Sequence, residues 1–224
     1  MSRLLIKPIA LACFAFGSLN AHADSVTFTG YVNGATNTNF SISAPNTPVS
    51  GASGAGGFAT SLNGGPTFAS YCVDLYEHIG FGSTYTNYTQ VSGAAHAFAN
   101  TNANTDIGRL FSAGHALANG TDQAAFQIAI WEIAYETTGS YNVANGSAQF
   151  SGAAAALANT WLNSLATTNT FNVMVLENVA TRDMVGHQDV VYATPAVPEP
   201  TTYALMAAGL LGVGFVARRR APKR

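Results

Sequence analysis

The sequence has 224 residues, of which 48% are hydrophobic and only 9% charged, and its formal net charge is −2. Between residues 24 and 194 two arginines, Arg109 and Arg182, stand against ten carboxylates with no lysine, a formal charge of −8 that excludes a nucleic-acid binder because it repels phosphate backbones. Trp131, Trp161 and many Phe and Tyr residues exclude a disordered chain, and the length suits one domain with a sizeable core.

The chain opens with Arg3 and Lys7 ahead of an apolar run from Pro8 to Leu19, followed by Ala21-His22-Ala23, the small-x-small pattern that signal peptidase cuts after. Residues 1–23 are therefore expected to be a signal peptide, whose removal discards Cys13 and leaves Asp24 first. The run is short of the roughly 20 residues a membrane span needs. The body expected over 24–194 begins with an alternating strand at 26–32, "VTFTGYV". The Gly-, Ser- and Pro-rich stretch 43–66 reads as a flexible surface loop. "FASYCVDLY" reads as a second strand carrying Cys72. One or two short helices are expected between Ser92 and Asn119.

A clearer helix follows the Asn119-Gly120 turn, with Thr121 as the expected cap, Phe126, Ile130, Ile133 and Ala134 at helical spacing, and Gly139 as its stop. Another helix is expected over 151–165, then strands at 170–179 and 189–193. The fold class is α+β: one mixed domain with strands near both ends, pairing with each other, and a helical middle on or beside the sheet.

Once Cys13 is removed, Cys72 has no partner for a disulfide within the chain. His78, His96, His115 and His187 lack metal-ligand spacing, so no metal and no cofactor is expected. A buried free cysteine and a catalytic thiol paired with one of those histidines remain open. Gln127 shares a helix face with Ile130, Trp131 and Ala134, where a buried amide must find hydrogen-bond partners.

"YCVDL" at 71–75 and "FQIAIW" at 126–131 resemble, in that order and 55 residues apart, the two signatures of bacterial thioester domains of surface adhesins. The resemblance implies an internal thioester between Cys72 Sγ and the side-chain carbonyl carbon of Gln127, with Ile128, Ala129, Ile130 and Trp131 completing the motif. Gln123, four residues earlier, is the alternative acyl donor, without Ala-Ile-Trp in register. Tyr71, Phe126, Ile130 and Trp131 are the expected apolar shell against water, and Asp74 the polar neighbour. Without a lysine in the body, the amine that opens such a bond must come from elsewhere. The chain is then a covalent binder of an amine-bearing surface or matrix ligand and not an enzyme. The alternatives are a non-reactive structural or carbohydrate-associated matrix protein of the same fold, and a cysteine hydrolase.

The tail from 195 to 224 carries Pro198-Glu199-Pro200, an apolar segment over 201–217, and Arg218, Arg219 and Arg220 as a membrane stop. Seventeen residues reach about 25 Å as a helix, the lower limit for a span. This tail resembles the PEP-CTERM sorting signal of Gram-negative bacteria. The resemblance implies processing by an exosortase after signal peptidase, with an inner-membrane-anchored precursor held by a transmembrane helix and a product at the cell surface or in an exopolysaccharide matrix.

Overall fold

The computed structural model describes residues 23–137, 140–178, 186–196 and 209–210. Six strands close into an antiparallel barrel: β1 (Asp24–Tyr31), β4 (Phe58–Leu62), β5 (Thr67–Cys72), β9 (Val190–Pro195), β8 (Phe171–Glu177) and β6 (Ser83–Ser92), in that spatial order. A second sheet has the order β3 (Val49–Ala55), β2 (Thr36–Ile42), β7 (Ala148–Ser151). The helices are α1 (Ala103–Ser112), α2 (Gly120–Tyr135) and α3 (Ala155–Leu162).

Inward side chains fill the barrel as expected for so few strands, among them Val26, Phe28, Tyr88, Val175 and Val191, with a hydroxyl pair between Thr60 and Ser70 at 2.6 Å. The tight turn from β4 to β5 places Asn63 and Gly64 at φ 51° and 70°, the two left-handed positions of a type I′ hairpin. Helix α2 is the centre of the molecule. Every residue from Gln123 to Tyr135 is buried, and the helix packs against α1, α3, β5 and all three strands of the small sheet. A helix apolar all round belongs in a core, and the run AAFQIAIWEIAY is of that kind.

Several expectations need correction. The class is α+β, with the helices in the middle of the chain, but the strands close into a barrel: leading strands meet trailing ones at β5–β9 and β6–β8, while β1 pairs with β4 and β6. The stretch 43–66 holds two strands, because β3 finds a partner in the preceding β2 and β4 is paired on both sides, by β1 and β5. Strands β2, β6 and β7 are additional to the expected ones, and α1 is the one helix between Ser92 and Asn119, within the one or two expected. Asn119, not Thr121, caps α2, its side-chain oxygen accepting from the N–H groups of Thr121 at 2.9 Å and Asp122 at 3.1 Å.

The expected transmembrane helix is also corrected, and with it the membrane as a partner and the inner-membrane-anchored precursor. Among the described residues no helix is long and apolar enough to cross a membrane. The longest, α2, has 16 residues, spans about 24 Å and is consumed by the core. Of the segment 201–217 only Gly209 and Leu210 are described, as helical. Residues 1–22, Gly139, Pro198, Glu199, Pro200 and Arg218 to Arg220 lie outside the described residues.

Candidate functional site

Strand β5 ends at Cys72, where one of its two neighbours, β4, has already left it. On one side β4 begins at Phe58, opposite Ser70, so no strand residue faces Cys72. The vacancy in the ladder is filled from α2. Gln127 Oε1 accepts from the Cys72 N–H at 2.9 Å, and Gln127 Nε2 donates to the Cys72 carbonyl at 2.8 Å. A side-chain amide thus stands in for a missing peptide plane, and both buried groups are satisfied. On the other side β5 continues against β9, with the Val73 N–H donating to the Asp189 carbonyl at 3.0 Å.

One turn earlier Gln123 anchors the preceding residue of β5. Its Oε1 accepts from the Tyr71 hydroxyl at 3.0 Å and its Nε2 donates to the Leu117 carbonyl at 3.1 Å. The two glutamines at i and i+4 bind consecutive strand residues, but only Gln127 reaches Cys72.

Both Cys72 and Gln127 are buried. The thiol donates to the Asp74 carbonyl at 3.0 Å. Burial pushes its pKa well above the ordinary thiol range; the Trp131 indole pulls back, and the charges of Asp74 and Asp189 add to the rise. The Trp131 N–H makes no hydrogen bond of ordinary geometry, so its influence on the sulfur is one of proximity. Trp131 itself stacks on Phe150 with centroids 5.8 Å apart. Asp74 is only partly buried, and its carboxylate accepts from the Tyr76 N–H at 2.8 Å.

Cys72 opens toward a cavity of about 110 Å³ whose walls include Trp131, Phe58, Tyr31, Phe81, His78 and Gln188. Tyr31, Phe58 and Phe81 form an aromatic lid, with Tyr31 and Phe81 edge-to-face at 4.8 Å. Of the expected shell only Trp131 lines this cavity. Tyr71 and Phe126 pack on each other at 4.8 Å beside Gln123, and Ala129 and Ile130 lie fully buried in α2. The lid residues come from β1, β4 and the loop before β6, and their only sequence signal was aromatic character.

A larger cavity, about 430 Å³, adjoins the same strand end and is lined by Pro45, Asp74, Tyr76, Glu77, His96 and Asp189 among others. Burial raises Asp189 to about 6 and also raises Glu77. His96 pairs with Glu177 at 2.5 Å. Among the described residues no group of His, Cys, Asp and Glu is arranged to hold a metal ion.

Further along α2, Glu132 is buried, with one oxygen accepting from the Asn142 N–H at 2.7 Å and the other without a partner. Glu136, one turn on, accepts from the N–H and hydroxyl of Ser147. Gly146 must be glycine there: its φ is 101°, and a Cβ would stand 1.9 Å from the Glu136 carboxylate. Burial lifts Glu132 from about 4.5 to about 8, against the Asn142 bond and with help from the Glu136 charge. The fold therefore prefers the protonated acid. This contribution to stability is full below pH 4.5, falls as pH rises toward 8, and is lost above. Glu132→Gln is expected to remove that decline and, at pH 9, to be more stable than wild type by on the order of 2 kcal/mol once the fold relaxes around the charge. Urea denaturation at pH 5 and pH 9 checks this; an unchanged pH dependence in the variant would place the titrating group elsewhere.

Residues 196–220 match the family described as the PEP-CTERM protein-sorting motif. No curated protein and no solved structure matches this chain. The motif is a recognition element without catalytic groups, consistent with a non-enzymatic protein, and it supports an exported, surface-associated role tied to exosortase sorting.

Proposed function

We propose that this is an exported surface or extracellular-matrix protein that attaches covalently to an amine-bearing target through a thioester between Cys72 Sγ and the side-chain carbonyl carbon of Gln127. The observation that carries the reading is the fixed approach of the Gln127 carboxamide to Cys72, held by two hydrogen bonds in a buried setting. The thiol adds to the carboxamide carbon, a C–S bond forms, and the C–N bond breaks with loss of ammonia. A target amine later attacks the same carbon, an amide bond forms, and the sulfur leaves with the proton. Each molecule reacts once.

Stored acyl sulfur is useful only if water stays out. The burial of Cys72 beside Trp131 and Phe58 supports that exclusion, with the exposed rings of Tyr31 and Phe81 at the rim of the cavity.

A second reading, a non-reactive structural or carbohydrate-associated matrix protein of the same fold, is favoured by one fact. Both amide atoms of Gln127 are already satisfied by the Cys72 main chain, while the sulfur donates elsewhere. The intact mass of the freshly purified chain separates the two. The thioester reading expects a mass one ammonia below the sequence value, rising by one methylamine on treatment, with Cys72→Ala and Gln127→Ala silent. An unshifted sequence mass with a free Cys72 thiol leaves the non-reactive protein.

A further inference from the structure

We propose that the acceptor is an extended polypeptide that adds as a strand to the free edge of β3 and carries a primary amine into the cavity over Cys72. The chemistry rests on the thioester reading; the docking does not.

The free edge follows from the ladder. The Ser43 N–H donates to the Ser147 carbonyl in register with the β2–β7 pairing, so Ser41 and Asn39 also bond toward β7. The alternate residues of β2, Ile42, Phe40 and Thr38, then bond to Val49, Gly51 and Ser53 of β3. The main-chain groups of Ser50, Ala52 and Gly54 consequently point away from β2. Among the described residues no strand pairs with that side of β3. The Gly54 carbonyl accepts from the Tyr31 hydroxyl at 3.3 Å, while Ser50, Gly51 and Ala52 are exposed.

Such an edge is ordinarily blunted by charge, proline or a bulge. Strand β3 reads Val-Ser-Gly-Ala-Ser-Gly-Ala, pairs with β2 over seven consecutive residues without a register shift, and carries none of these devices. Strand β1, by contrast, has shifts in both of its pairings.

The position of this edge suggests its occupant. At the far end of β3, Ser53 and Gly54 line the Cys72 cavity together with Tyr31 and Phe81. Just before β3, Pro45 and Asn46 line the larger cavity, with Asp74, Glu77 and Asp189 in its walls, and the Thr47 carbonyl accepts from the Tyr76 hydroxyl at 3.0 Å. A strand laid along β3 therefore runs between a carboxylate-walled cavity and the sulfur. That charge complements a cationic, lysine-bearing segment, and the body itself has no lysine to compete. Backbone pairing supplies affinity while the side chain over the cavity supplies the amine. In the transfer the lysine nitrogen bonds to the Gln127 acyl carbon, the C–S bond breaks, and the amine proton passes to sulfur.

The test compares amines on the full chain by intact mass. The probes are acetyl-Thr-Val-Thr-Lys-Val-Thr-Val-amide, the same peptide N-methylated at alternate backbone nitrogens, acetyl-lysine methylamide and methylamine. The first peptide is expected to react about tenfold faster than acetyl-lysine methylamide, from the raised local concentration of its amine. The N-methylated peptide loses that advantage. Ala52→Pro, which deletes an outward N–H without touching a bond to β2, also loses it and keeps the methylamine rate. Equal rates for the peptide and acetyl-lysine methylamide, or for the N-methylated peptide and its parent, overturn the proposal. If methylamine itself adds nothing, the thioester reading has failed, and fluorescence anisotropy of the labelled peptide on the Cys72→Ala chain decides the docking. Binding that the N-methylated peptide lacks upholds it; no binding overturns it.

Discussion

Replacing Gln127 with leucine in a Cys72→Ala chain is expected to lower the unfolding free energy by about 2–5 kcal/mol relative to Cys72→Ala alone. Leucine keeps the apolar volume of the helix face but removes the acceptor for the Cys72 N–H and the donor for its carbonyl. Both groups then remain buried where β4 has already diverged and no strand can replace the lost partner. Each orphaned main-chain group costs about 1–3 kcal/mol. The alanine background matters because an acyl link from sulfur to Gln127 would otherwise add its own constraint to the comparison. Urea midpoints with an unchanged slope report the difference. A cost below about 1 kcal/mol would mean that the end of β5 relaxes onto water, and the amide would then be no structural element of the fold.

Trp131→Ala is expected to be comparably damaging, at about 3–5 kcal/mol, and to expose the sulfur as well. The indole is 1% exposed, stacks on Phe150, and forms the inner wall of the cavity onto which Cys72 opens. Its removal leaves a void continuous with that cavity. After methylamine has freed any acylated sulfur, iodoacetamide should label Cys72 at least about ten times faster in the variant than in wild type, with the site read by peptide mapping. Trp131→Phe, which retains a ring against Phe150, should fall between the two. Destabilisation without faster labelling would show that the indole packs the core but does not shield the sulfur.

That Gln127 stands beside Cys72 was implied by the resemblance of their two motifs, and local structure alone gives each motif but not their meeting. One is a β-prone run, and the other a helix apolar on every side with a clear turn before it. What could not be read was how the amide is used. Its bonds to the Cys72 main chain depend on where β4 stops, and that is set by pairing between segments far apart in sequence. The barrel was hidden for the same reason. The small sheet was hidden for another: β3 has no alternation to read, because Gly, Ala and Ser are compatible with loop and sheet alike, and its ladder with the neighbouring β2 is what selects sheet. Tyr31 and Phe81 stand 50 residues apart in the chain, and each reads as an ordinary aromatic residue until the barrel closes and brings their rings together.

The position of β9 sets a timetable. The ribosome delivers β5 and α2 well before residue 190, yet β9 is the strand that closes the barrel between β5 and β8. Gln188, just ahead of it, donates to the carbonyls of Asp74 and Glu77 and forms part of the wall around the sulfur. A nascent chain that already holds Cys72 and Gln127 therefore still has an incomplete enclosure, open along one side of β5. Only when synthesis has passed residue 195, immediately before the sorting motif begins, can the last strand seat and the enclosure shut. The strand that completes the pocket thus stands directly ahead of the segment that matches the sorting motif, and a chain cut short of it cannot close the enclosure.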